Sequence, residues 1–249
     1  MERNAEIVTG EKTYCEKFRL RVGDYDWTDR LYLRAILDLC QDAAGKHADL
    51  LHVGYDEMIA ENKIWMVLKT KGEILKYPPF SSVVTVKTWP IEPGRVDMDR
   101  DYLLLSEDEK EVYAKVSSKW VVCSSLTRRL LRAKEVRFDL DGFLPERVFD
   151  EPWSKLETPD SFDGETTVTT TVLDLDHNGH INNAKYCDFI YLAVPPLQGK
   201  EISRFQIDYV SELKAGQKVI VRYKKEENLF KIWGFCEESK SFLAFIEIR

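Results

Sequence analysis

The chain lacks the sequence features of several protein classes. It has no run of about twenty apolar residues, the length that a membrane-spanning helix needs. Its first residues, MERNAEIVTGEKTY, are polar and do not resemble a signal peptide. Basic residues are not in excess, and the formal net charge of -7 argues against general nucleic-acid binding, because a phosphate backbone favours a basic surface. We therefore expect a cytoplasmic protein that binds neither membranes nor nucleic acids.

Cysteine is also scarce and follows no metal-binding pattern. The five cysteines are odd in number and lack C-x-x-C spacing, and most lie in apolar stretches: Cys15, Cys40, Cys123, Cys187 and Cys236. This distribution predicts reduced core residues rather than a zinc site or a disulfide framework. We expect no metal and no cofactor.

An internal repeat is present instead. A constant shift of 150 residues aligns five pairs: Val22 with Val172, Asp24 with Asp174, Asp26 with Asp176, Leu31 with Ile181, and Asp38 with Asp188. Each half follows one plan, in which a strand and an Asp-x-Asp turn precede a helix and several further strands. With 249 residues, 44% of them hydrophobic, the chain can bury the core of two such units.

The hydrophobic periodicity predicts an α+β fold, in which antiparallel strands wrap a buried helix in each half. In the first half we predict a helix at residues 31–51 and strands at 64–74, 83–89, 97–105 and 112–123. In the second half we predict strands at 166–172, 204–213, 218–223, 230–236 and 242–248, and a helix from about residue 181 to before Pro195.

Residues 139–164 show little periodicity and carry three prolines among acidic residues. Such composition is typical of a connection between domains. We therefore predict an N-terminal domain at residues 1–138, a linker at 139–164, and a C-terminal domain at 165–249.

The richest polar segment is LDLDHNGHINNAKY, at residues 173–186. Asp174, Asp176 and Asn178 fit the first positions of an EF-hand calcium loop, but the bidentate glutamate required at position 12 is replaced by Lys185. The strand-like segment before the turn also differs from an EF-hand helix. A carbonyl-directed site is therefore favoured over a calcium site. Asp176 could alternatively be only a helix N-cap, and His177 with its neighbours does not complete a metal shell.

The repeat locates the chemistry in the C-terminal half. Thr28 and Arg30 occupy the positions that correspond to Asn178 and His180. Only the second copy therefore carries the polar triplet formed with Asp176.

The sequence resembles the acyl-acyl-carrier-protein thioesterases of bacterial type. The resemblance covers residues 14–249 and rests on D-x-N-x-H-x-N-N within the polar segment, on the later Y-x-x-E, and on three further segments: IDYVSEL, QDAAGKH and KIWMVLKTKGEILKYPPFSSVVTVKTW. It implies two tandem hot-dog domains, each an antiparallel sheet around a helix. It also implies hydrolysis of a fatty acyl thioester on acyl carrier protein, which releases the fatty acid and ends chain elongation. The N-terminal residues do not resemble a plastid transit peptide, so we expect a protein of the bacterial type.

The resemblance implies a catalytic set of Asp176, Asn178, His180 and Glu212. Plant members have a cysteine directly after this glutamate, whereas this chain has Leu213, so Glu212 acting on water is the expected mechanism. We expect Asn178 to place the water or the thioester, and Asp176 to orient Asn178 or the turn. His180, expected at the start of a helix, would donate to the carbonyl oxygen.

The N-terminal half is expected to shape the acyl cavity. Candidate lining residues are Leu37, Cys40, Ala44, Trp65, Met66 and Leu68, which could equally be ordinary core. The basic group of Arg128, Arg129, Arg132 and Lys134 is either a solvated face or a landing place for an acidic partner. Hydrolysis of acyl-coenzyme A and non-catalytic acyl binding stay open as alternative functions. Either a monomer or a homodimer is compatible with the tandem repeat.

Overall fold

Ten strands form one antiparallel sheet in the computed structural model, which describes residues 12–176 and 178–249. The strands of the first half are β1 (Tyr14–Arg19), β2 (Lys63–Ile74), β3 (Val83–Pro90), β4 (Asp97–Ser106) and β5 (Val112–Ser124). Those of the second half are β6 (Gly164–Thr169), β7 (Ile202–Tyr209), β8 (Lys218–Glu226), β9 (Leu229–Cys236) and β10 (Ser239–Ile248).

The strand order shows the repeat directly. It runs β1-β3-β4-β5-β2 and continues as β7-β10-β9-β8-β6, so the second half repeats the order of the first, counted from the opposite edge. The two halves join where β2 pairs with β7 at the centre of the sheet. A glycine is needed at this join, because a Cβ on Gly72 would lie 2.4 Å from the ring of Phe205.

The described residues form three α-helices, which lie against the sheet: α1 (Leu33–Leu50), α2 (Tyr55–Ala60) and α3 (Lys185–Ala193). α1 buries one apolar face, which includes Leu33, Ile36 and Ala43, because these residues recur at helical spacing. α3 ends before Pro195, which begins a 3-10 turn. No helix among the described residues is both long and apolar enough to cross a membrane.

The helices of the two halves contact each other through charged side chains. Arg34 on α1 places its Nε 3.2 Å from Asp188 Oδ1 on α3, and its Nη1 lies 3.6 Å from Asp38 Oδ2. Asp38 and Asp188 are the pair that the 150-residue shift aligns. One arginine therefore lies between two carboxylates at equivalent positions of the repeat.

The segment between β5 and β6 packs against the sheet without forming a strand itself. Arg147 pairs with Asp99 at 2.7 Å and with Asp101 at 3.3 Å, both on β4. The Ser154 N–H donates to the Gln206 side chain on β7. These contacts hold the segment across both halves of the sheet.

The predicted α+β fold with two tandem hot-dog domains is confirmed, and most predicted elements agree with the structure within about two residues. The domain boundaries at 138/139 and 164/165 remain a prediction.

Two element predictions were wrong where they affect the site. The strand predicted at 204–213 ends at Tyr209, because the N–H groups of Val210 and Ser211 both donate to one carbonyl, that of Ser241. Glu212 therefore lies in a loop.

The second error concerns His180, which was expected at the start of a helix. α3 begins only at Lys185, and the N–H groups of Asn178 and His180 are instead bonded to the side chain of Asp176. His180 therefore does not lie at the N-terminus of α3, where the helix dipole was expected to act. Asp176 caps a turn rather than the helix.

Candidate active site

A tight turn positions the polar triplet. Asp176 Oδ1 accepts from the N–H of Asn178 at 2.8 Å and from the N–H of His180 at 3.1 Å. The Asp176 N–H donates to the carbonyl of His180 at 2.7 Å, and Gly179 takes a left-handed φ of 76°. The carboxylate of Asp176 is thus committed to the backbone of the turn. The side chains of Asn178 and His180 take no part in these bonds.

The first half contains the same turn with different side chains. Asp26 Oδ1 accepts from the N–H of Thr28 at 2.7 Å and from that of Arg30 at 3.1 Å. Arg30 then extends to the other half, where it donates to the carbonyl of Gly199 and lies 3.3 Å from Glu201. The position equivalent to His180 therefore joins the two halves in the first copy.

Glu212 completes the cluster from the loop after β7. Its Oε1 lies 3.1 Å from His180 Nε2, and its Oε2 accepts from Arg128 Nη2 at 2.7 Å. The Glu212 side chain is 32% exposed, so water can reach the carboxylate although each of its oxygens already has a partner. This arrangement holds a carboxylate at a fixed position beside an imidazole, as general-base chemistry requires.

These side chains stand at one cavity of about 580 Å³. The polar residues at the cavity include Asp176, Asn178, His180, Asn183, Arg128 and Glu212, and further polar side chains come from the N-terminal half, among them Gln41, Asp49 and Arg100. The apolar wall comes from the N-terminal half and includes Ala44, Trp65 and Met66, as expected, together with Val53, Met58 and Met98. A cavity of this size and character suits a small apolar ligand whose polar end meets a few placed groups.

The remaining predicted lining residues lie elsewhere. Leu37 and Cys40 line a smaller cavity of about 30 Å³, which shares Gln41, Trp120 and Asn183 with the larger one. Leu68 lines neither of these two cavities.

No thiol is placed to act as the nucleophile among the described residues that line the larger cavity. Leu213, which follows Glu212, is 1% exposed and belongs to the core. Burial raises the pKa of the Cys187 thiol well above its usual range. Burial also raises the pKa of the Tyr186 hydroxyl, and the charge of Glu212 raises it further, so this phenol stays protonated.

No group of three or more His, Cys, Asp or Glu side chains in the described part of the chain is arranged to hold a metal ion. His177, considered as a metal ligand from the sequence, lies outside the described residues.

Sequence reasoning missed the place of Arg128 at this cluster. It was grouped with Arg129, Arg132 and Lys134 as a basic surface, and its link to Glu212 joins positions 84 residues apart. No local pattern could have revealed that link, since it depends on how the two halves pair.

The chain matches two family models in succession. The Acyl-ACP thioesterase N-terminal domain matches residues 11–138, which is more than half of the chain, and the Acyl-ACP thioesterase C-terminal domain matches residues 158–239. The chain belongs to the acyl-ACP thioesterase family. This membership confirms the resemblance drawn from the polar segment and the later Y-x-x-E.

Relatives of known sequence and structure agree with this family. The chain is 29% identical over 221 residues to a chloroplastic palmitoyl-acyl carrier protein thioesterase of Gossypium hirsutum, covering 83% of this chain and 54% of the relative. The chain spans about half the length of the curated relatives it matches.

Two solved structures have the same fold. An acyl-ACP thioesterase from Bacteroides thetaiotaomicron aligns with a TM-score of 0.82 and 22% identity, over 96% of this chain and 98% of the other. The 12:0-ACP thioesterase from Umbellularia californica aligns with a TM-score of 0.84 and 20% identity, over 98% and 99%. The tandem hot-dog architecture is thus common to all three proteins.

Proposed function

We propose that this protein hydrolyses the thioester of fatty acyl-acyl-carrier protein and releases the free fatty acid, which ends chain elongation. One observation carries the proposal: in a chain of this family, Glu212 lies 3.1 Å from His180 beside an apolar cavity. The cavity would hold the acyl chain, and the polar cluster would meet the thioester.

In the proposed reaction, Glu212 is the general base. A water oxygen attacks the thioester carbonyl carbon while the carboxylate takes a proton from that water. The tetrahedral intermediate then expels the sulfur as the C–S bond breaks, and the thiol leaves with the proton that Glu212 had taken. The products are a fatty acid and the carrier thiol. Leu213 has no part in this sequence of steps.

Asn178 and His180 divide the remaining roles. His180 Nε2 points at Glu212 Oε1, so we assign it to holding the base rather than to donating to the carbonyl, the role expected from the sequence. The exposed Asn178 side chain stands at the same cavity and can donate to the developing oxyanion. Removing one such donor typically lowers the rate by about a hundredfold or more. Asp176 keeps both residues in place through the turn.

Acyl carrier protein is the proposed partner, the protein is proposed to act in the cytoplasm, and a monomer or a homodimer would serve the reaction. The test is hydrolysis of matched acyl chains carried by acyl carrier protein or by coenzyme A, followed by free-thiol release and fatty-acid analysis. We expect a higher kcat/KM with the carrier protein. An equal or greater value with coenzyme A would assign the protein to acyl-coenzyme A instead. Hydrolysis of neither substrate would favour a non-catalytic acyl-binding protein.

A further inference from the structure

Glu212, the proposed general base, accepts a hydrogen bond from a residue of the N-terminal half. Arg128 follows β5 in the N-terminal half, and its Nη2 donates to Glu212 Oε2 at 2.7 Å. The other oxygen of the same carboxylate faces His180 at 3.1 Å. Glu212 is therefore fixed from both sides, by one group of its own half and one of the first half.

Hydrogen bonds within the loop hold the backbone on both sides of Arg128. The Arg128 N–H donates to the carbonyl of Ser124 at 2.8 Å, and the Ser124 N–H donates to the carbonyl of Arg129 at 2.9 Å. Thr127 adds a bond from its N–H to the Ser124 hydroxyl. Arg128 itself has a φ of 58°, a left-handed conformation that is unfavourable for a residue with a side chain.

We propose that Arg128 is a positioning residue for Glu212, so that the N-terminal half, which lacks the polar triplet, completes the site of the C-terminal half. This inference rests on the proposed function. A guanidinium that donates to a carboxylate fixes its direction, and a general base acts only when it lies within hydrogen-bond reach of the proton that it takes. His180 alone leaves Oε2 unrestrained, and the carboxylate could then rotate away from the water.

A competing explanation is that this is an exposed ion pair of no consequence. The side chain of Arg128 is 45% exposed, and ion pairs of that kind contribute little to stability. The two explanations differ in what happens to the reaction rather than to the fold. Loss of a positioning residue lowers kcat and leaves KM nearly unchanged, whereas loss of a surface ion pair changes neither.

The test compares Arg128→Gln, Arg128→Lys and Arg129→Gln in the full chain, on the acyl thioester that the wild type hydrolyses. Arg129 is the matched control, because it is the exposed neighbour and holds the loop through its backbone carbonyl. We expect Arg128→Gln to lower kcat roughly tenfold to a hundredfold with little change in KM, since the base is misplaced while the cavity is intact.

Arg128→Lys separates charge from geometry. It should recover part of kcat, because the cation is retained, but not all of it, because an ammonium lacks the planar fork of the guanidinium. If the Arg128 variants have the circular dichroism spectrum and the unfolding midpoint of the wild type, misfolding is excluded as the cause of their lower kcat. If the wild type hydrolyses the thioester and Arg128→Gln matches Arg129→Gln in both kcat and KM, this proposal alone is overturned. A wild type that hydrolyses no acyl thioester overturns the proposed function and this proposal together.

Discussion

Asp26 and Asp176 hold the same turn in the two halves of the chain, 150 residues apart. Each Oδ1 accepts from the N–H groups two and four residues later, at 2.7 and 3.1 Å for Asp26 and at 2.8 and 3.1 Å for Asp176. The turn is therefore a property of the repeat, and within the two turns only Asn178 and His180 carry side chains that take part in the proposed chemistry. Each residue of the first turn becomes a matched control for its counterpart.

Replacing each aspartate by alanine separates structure from activity. Asp26→Ala and Asp176→Ala each remove a carboxylate that accepts two backbone N–H groups, so each should lower the free energy of unfolding by about 1–2 kcal/mol. Only Asp176→Ala should also lower the hydrolysis rate, by roughly tenfold or more, because it releases Asn178 and His180. Urea unfolding and steady-state hydrolysis measure the two effects. Equal losses of activity in both variants would show that the turn of the second half has no special role.

Gly179 offers a test of the backbone itself. It has a φ of 76°, and its counterpart Asp29 has a φ of 59°, so the first half tolerates an aspartate in this conformation. No atom lies within 4 Å of a Cβ added at Gly179, so conformation rather than crowding sets the cost. Gly179→Val should destabilise the protein by about 1–2 kcal/mol, and Gly179→Asp by less, because aspartate visits the left-handed region more readily. Equal destabilisation in urea unfolding would contradict this explanation.

Asp38 predicts a pH dependence of stability. Its pKa is raised to about 6, chiefly by burial; Arg34 opposes this rise, whereas the charges of Asp42 and Asp188 add to it. The folded state thus holds a proton that the unfolded state has already released at pH 4–6. The stabilising contribution of this proton is complete at low pH and is lost as the pH rises through about 6.

The comparison is between wild type and Asp38→Asn, whose side chain does not titrate. As the pH rises from 4 to 7, wild type should lose unfolding free energy relative to the variant. The loss should not exceed about 1 kcal/mol, because 41% of this side chain is exposed and solvent screens its charge. Chemical unfolding at both pH values gives this difference. If the difference in unfolding free energy between wild type and Asp38→Asn stays constant from pH 4 to 7, or grows in favour of wild type, the raised pKa of Asp38 is contradicted.

Sequence periodicity predicted the elements well where the repeat reinforced it. β1 and β6 are offset by 150 residues, as are the short 3-10 turns at Val22–Asp24 and Val172–Asp174. The apolar spacing that predicted a helix at 31–51 yields α1 at Leu33–Leu50. These elements are local, and their side-chain pattern determines them.

Periodicity failed where side chains or distant strands override it. The segment ending at Leu213 continues an alternating pattern past Tyr209, but the ladder ends when Val210 and Ser211 share the carbonyl of Ser241. The contact between Arg128 and Glu212 was invisible for a related reason. It exists because the two halves join at the centre of one sheet, and no segment of the sequence contains that information.

The most direct test of the central claim is the rate at which Glu212→Gln releases fatty acid from acyl-acyl-carrier protein. Glu107→Gln is the control, since Glu107 lies between β4 and β5 with a side chain that is 61% exposed. We predict that wild type and Glu107→Gln hydrolyse the thioester at similar rates. Glu212→Gln should be slower by roughly a hundredfold or more, because an amide cannot take the proton from water. Hydrolysis by Glu212→Gln at the wild-type rate would contradict the proposed mechanism.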